Sequence, residues 1–131
     1  MSLSGYEQLR LLLGMFPEFF KTEGKFFRFI YYFDAYIKVQ NVTPQRLTKY
    51  EATILGPTKL VTEAIRKGRS DGSLRKNSAT DDELYITITH ALFSLAQKLS
   101  LSGEMLYMDK EISAQKQMEL LTSIILDSLK E

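Results

Sequence analysis

The chain has 131 residues, 44% of them hydrophobic and 25% charged, the makeup of one globular domain with a sizeable core and no room for a second full domain. Seventeen basic against sixteen acidic residues leave a net charge of +1, too little to draw the chain by itself to a phosphate backbone. Cysteine is absent, which excludes disulfides, thiolate metal sites and a cysteine nucleophile and fits a reducing, cytoplasmic setting.

In chain order the punctuation marks helix boundaries throughout. Leu9, Leu12, Leu13 and Phe16 recur at three- and four-residue steps, predicting a first helix from about Leu3 to Phe16 that Pro17 discourages from continuing. A second helix is expected from about Glu23 to Gln40, and a third from Thr43 as N-cap, with Pro44 at its first position, to about Leu55. Gly56-Pro57 kinks or restarts it. The segment that follows is expected to end at Arg66-Lys67-Gly68, with Gly68 as the left-handed cap, before a turn at Ser70-Asp71-Gly72-Ser73. Thr80-Asp81-Asp82-Glu83 has capping-box spacing and opens a helix to about Leu101, and a last helix runs from Asp109 or Ser113 to Leu129. No strand alternation or repeat is present. The expected fold is therefore all-α, one bundle of five or six helices over residues 1–131.

Residues 25–37, KFFRFIYYFDAYI, hold seven aromatic side chains. On a helical wheel Phe26, Phe29, Ile30, Phe33, Tyr36 and Ile37 share one broad sector, the pattern of a core face, while Phe27 and Tyr31 lie one turn apart on the opposite side near Asp34 and Lys38, so the helix is expected to bury area on two sides, as a central helix of a bundle does. Large apolar residues at this spacing ordinarily fill a core. Tyr31, Tyr32 and Tyr36 add hydroxyls that need partners once buried, and an apolar wall with a few polar handles is also what a ligand cavity requires. Composition does not choose between core and pocket. A membrane span is not expected, since no stretch reaches the roughly 18 uninterrupted apolar residues it needs, and no secretory signal pattern opens the chain.

Chemistry is hard to assemble from these residues. His90 is the single histidine, in a helix beside Ile86, Phe93 and Gln97, and neither a catalytic triad nor a four-ligand zinc site can be built around it. Asp81-Asp82-Glu83 is explained by capping and the helix dipole. Gly68-Arg69-Ser70-Asp71-Gly72 has too few glycines and no preceding strand for a phosphate-binding loop. No catalytic residue, metal site or cofactor is expected, and the chain is not expected to be an enzyme.

The run from Glu63 to Arg75, EAIRKGRSDGSLR, followed by Ile86 to Leu99, ITITHALFSLAQKL, resembles the C-terminal half of a TetR-family transcriptional regulator, in which a helix ends in a glycine, an Asp-Gly turn follows and a dimerisation helix begins. Residues Phe29 to Ile37 resemble that family's central core helix. The resemblance extends over nearly the whole chain, but the basic helix-turn-helix domain of a complete regulator has no counterpart in it. It implies an effector-binding and dimerisation domain of a repressor, with residues 1–16 as the connector helix to an N-terminal DNA-binding domain. A small hydrophobic or amphipathic effector would bias the dimer away from its operator-bound arrangement. The implied pocket is Phe16, Phe29, Tyr32, Phe33, Tyr36, Tyr50 and Ile54, with the tyrosines as polar handles.

The homodimer interface is expected on the last two helices. Leu84, Ile88, Leu92, Leu95 and Leu99 form a core face on the first of them, leaving Ile86, His90, Phe93 and Gln97 on another side. On the final helix Met118, Leu121, Ile125 and Leu129 face the core, with Leu120 and Ile124 flanking it. The alternative is an all-helical dimeric interaction protein with a filled core and no small-molecule ligand.

Overall fold

The computed structural model describes residues 2–40, 45, 58–102 and 111–131, the side chains of 28, 30, 31, 33, 34, 36–40, 58 and 102 apart. These residues form four helices, α1 (Gly5–Gln40), α2 (Thr58–Asp71), α3 (Asp81–Ser102) and α4 (Ala114–Leu129). The expected helix from Thr43 to Leu55 falls outside them. Among the described residues the one departure from helix and loop is an isolated antiparallel bridge between Leu74 and Lys130. Helix α1 packs against each of the other three, and α3 packs against α2 and α4.

Helix α1 opens on a reciprocal box in which the Glu7 amide donates to Ser4 Oγ at 3.1 Å and the Ser4 amide donates to Glu7 Oε2 at 3.0 Å. It does not stop at Phe16, as the proline predicts. Pro17 lies inside the helix and is buried, because proline's fixed φ suits a helix and its cost, a lost amide donor of about 3 kcal/mol, is offset by packing on either side. Leu9 and Leu13 are fully buried here, and Gln115 Nε2 of α4 donates to the Pro17 carbonyl at 2.9 Å. The break comes instead at Glu23, whose φ of −132° and ψ of 38° are not helical. Just before it, the Thr22 hydroxyl turns back to the Glu18 carbonyl at 3.2 Å.

Helix α2 also outruns its expected end. Gly68 is helical and buried, and the left-handed glycine is Gly72, with a φ of 80°, immediately after Asp71. Gly68 serves close packing instead. A Cβ on Gly5 would overlap its N and Cα, so Gly5 lets α1 and α2 cross at backbone contact, while a Cβ on Gly68 would overlap Leu74, so Gly68 leaves room for that side chain. Arg69 then ties α2 forward, reaching Asp81 Oδ1 and Asn77 Oδ1 at 2.9 Å each.

The last two helices start where capping chemistry places them. The Thr80 amide donates to Glu83 Oε1 at 2.9 Å and the Glu83 amide to Thr80 Oγ1 at 3.0 Å. Ser113 caps α4 by accepting from the Lys116 amide at 3.1 Å. On α3, Ile88, Leu92, Ala96 and Leu99 are buried, with Leu84 and Leu95 packed beside them as expected. On α4 the buried line is Met118, Thr122, Leu126 and Leu129, so the core face is rotated by about a residue from the expected one, and Leu121 and Ile125 sit at its edge. Thr122 enters this line because its hydroxyl donates to the Met118 carbonyl at 2.8 Å and leaves only its methyl to be packed.

Candidate functional site

The aromatic arm of α1 beyond Glu23 is anchored by Phe27, on the second of the two sides the sequence expects to be buried; of the other sector, Phe26 is half-buried and Phe29 exposed, and the side chains of Ile30, Phe33, Tyr36 and Ile37 lie outside the described residues. Phe27 is 2% exposed and its ring meets four others: Phe93 at 5.3 Å between centroids, Phe19 at 5.6 Å, Phe26 at 5.8 Å and Phe20 at 6.0 Å. Most of these are edge-on arrangements, which the aromatic quadrupole favours. The kink falls where the sequence expects a second helix to begin, at about Glu23, and beyond it Phe27 faces Phe93 of α3.

Of the expected pocket residues, Phe16 is half-buried against the core, whereas Phe29 and Tyr32 are 59% and 60% exposed. The side chains of Phe33, Tyr36, Tyr50 and Ile54 fall outside those described. Among the expected interface residues, Ile86 on α3 and Leu120 and Ile124 on α4 are 48%, 51% and 56% exposed, and His90 is exposed beside Ile86 one turn on. Phe93 turns inward to Phe27, and Gln97 is half-buried. No group of three or more metal-ligating side chains occurs among the described residues, so His90 has no such company there.

A polar cleft of about 390 Å³ opens at the far end of α1, lined by Ser4, Tyr6, Glu7, Arg10, Ser73, Lys130 and Glu131. None of these is among the residues expected at a site. Lys130 Nζ stands over the Tyr6 ring at 5.5 Å from its centroid, a cation–π contact in the open. Behind the cleft wall the Gly5 amide donates to Asp71 Oδ2 at 2.8 Å and the Tyr6 amide to Ser73 Oγ at 2.9 Å. The Ser73 hydroxyl, then the Gly5 amide and the Ser73 amide, hold the Asp71 carboxyl below its ordinary range. Because the α1 amides are already occupied by protein groups, this helix start is not laid open to an anion. The S-x-x-E spacing of Ser4 and Glu7 is a legible signal for the local part of this arrangement; the caps from Asp71 and Ser73, some 66 residues away, have none.

Compared with known proteins, the chain matches no family model, no curated protein and no solved structure.

Proposed function

We propose that this chain is the ligand-sensing and dimerisation domain of a TetR-like cytoplasmic transcriptional repressor, a binding domain and not an enzyme. The observation that carries the proposal is the second apolar face left on α3 and α4: Ile86, Leu120 and Ile124 stay about half exposed after both helices have supplied a complete core face. Helices that have filled a core gain nothing from further branched aliphatic side chains unless a partner desolvates them. Two copies of α3 and α4 would meet there as a four-helix seam. DNA would be read only by a helix-turn-helix domain joined ahead of α1, since the net charge of +1 supplies no phosphate-binding field. The effector would be small and apolar or amphipathic, held between the aromatic arm and its neighbours by Phe16, Phe29, Tyr32, Phe33, Tyr36, Tyr50 and Ile54, and would act by preferring one of two dimer arrangements.

A second reading, the filled-core interaction dimer without a ligand, draws support from the closure of four rings around Phe27. One screen separates the two. Thermal shift with apolar and amphipathic small molecules should find compounds that raise the melting temperature in proportion to the logarithm of free ligand over Kd, and Phe33→Trp should abolish the shift while leaving the fold intact. If no compound stabilises the chain and Phe33→Trp itself lowers the melting temperature, the ligand-sensing reading gives way to the filled core.

A further inference from the structure

Three stretches remote in sequence meet at one end of the bundle: the start of α1, the turn between α2 and α3, and the end of the chain. On one edge of the turn, Asp71 and Ser73 take the amides of Gly5 and Tyr6 at 2.8 and 2.9 Å. On its other edge, the Arg75 amide donates to the Leu129 carbonyl at 2.7 Å and the Glu131 amide donates to the Ser73 carbonyl at 3.2 Å. Ser73 serves both edges, its hydroxyl turned to α1 and its carbonyl to the chain end.

We propose that the Asp71–Arg75 turn is a clasp that couples the N-terminal end of α1 to residues 129–131, so that loosening either edge loosens the other. The turn has the means to move as one piece. Gly72 holds it in the left-handed region, the Ser73 amide donates to Asp71 Oδ1 at 2.9 Å, and the buried Leu74 pins it to the core while its own amide donates to the Gly68 carbonyl at 3.0 Å. A Ser73 displaced to release Tyr6 therefore carries its carbonyl away from Glu131. Such a coupling is reciprocal by thermodynamic necessity. The clasp rests on hydrogen bonds within one chain and stands or falls independently of the ligand-sensing proposal.

Amide hydrogen exchange on the full chain, followed residue by residue by NMR, tests it with each edge perturbed alone. Ser73→Ala removes the hydroxyl that serves α1 and leaves every backbone group of the other edge in place. It should speed exchange at Gly5 and Tyr6 by about fivefold, the effect of losing one cap, and should speed Arg75 and Glu131 by a similar factor. Arg75→Pro removes the donor to Leu129, along with the arginine side chain and some backbone freedom at Leu74, and should speed Gly5 and Tyr6 in turn. Leu92 and Ala96, in the middle of α3, should keep their rates in both variants. Acceleration confined to the edge that was altered would overturn the clasp. So would a uniform acceleration that includes Leu92 and Ala96, since that is loss of global stability. If Arg75→Pro does not fold, Ser73→Ala decides the matter alone through Arg75 and Glu131.

Discussion

Truncating Phe27 and Phe29 to alanine, one at a time, weighs the ring cluster against the other side of the aromatic arm. Phe27 is 2% exposed and Phe29 59% exposed. A phenylalanine buries about 200 Å² when fully enclosed, so at about 25 cal/mol per Å² the apolar term is about 5 kcal/mol for Phe27 and about 2 kcal/mol for Phe29, both upper bounds. Phe27→Ala also leaves a void among Phe19, Phe20, Phe26 and Phe93 that these rings fill only in part, and large aromatic truncations of this kind cost about 3–5 kcal/mol. We expect Phe27→Ala to lower the melting temperature by about 10–20 °C, at about 4 °C per kcal/mol for a chain of this size, and Phe29→Ala by well under half as much. Urea unfolding followed by far-ultraviolet circular dichroism gives the free energies directly, provided the slope with denaturant is the same for all three proteins. A Phe29→Ala loss equal to or greater than that of Phe27→Ala would mean that the orientation of the arm after Glu23 is wrong.

Three further outcomes are expected. Gly72→Ala should cost about 1–2 kcal/mol from its left-handed backbone alone, since nothing lies near the added methyl, whereas Gly68→Ala should cost more because its methyl overlaps Leu74; equal costs in urea unfolding would refute the two different roles. The Glu83 carboxyl is held below its ordinary range by the Thr80 amide and then the Thr80 hydroxyl, so its contribution is fully present above the unfolded-state value and is lost as pH falls through the lower folded value. Glu83→Gln should therefore flatten stability against pH in that acid window and change little at pH 7 in the slope; an unaltered acid limb would sink the assignment. Ile124→Asp should leave the stability of the monomer within about 0.5 kcal/mol yet shift a dimer to monomer in light scattering, because the side chain is exposed in one copy and desolvated in two. A chain that is already monomeric at high micromolar concentration would remove the proposed seam.

What could be read from the sequence was whatever is local. The capping box at Thr80 and Glu83 and the core line of α3 depend on residues within four positions of one another and stand where spacing puts them, Ser113 is one of the two starts offered for the last helix, and the turn expected over residues 70–73 begins after Asp71. The all-helical class followed from the same signals. What could not be read depends on partners far along the chain. Pro17 costs a helix about 3 kcal/mol, and burial together with the contact from Gln115 of α4 decides its case. Gly68 looks like a cap until Gly5, 63 residues earlier, is brought against it. Phe93, expected on the outer face of α3, turns inward because Phe27, some 66 positions earlier, meets its ring. Tyr50 and Ile54 lie in the segment outside the described residues.

Ser4 and Glu131 line one cleft, so the polypeptide follows a path that all but returns to its origin. In polymer terms the folded chain is nearly a ring whose unfolded counterpart is a free line. A peptide link of a few residues from Glu131 back to Ser2 would ask little of the folded state while denying the unfolded chain most of its end-to-end freedom, a gain of about 4–5 kcal/mol in the chain-entropy account. By the same geometry, a domain joined ahead of Ser4 would emerge beside Glu131.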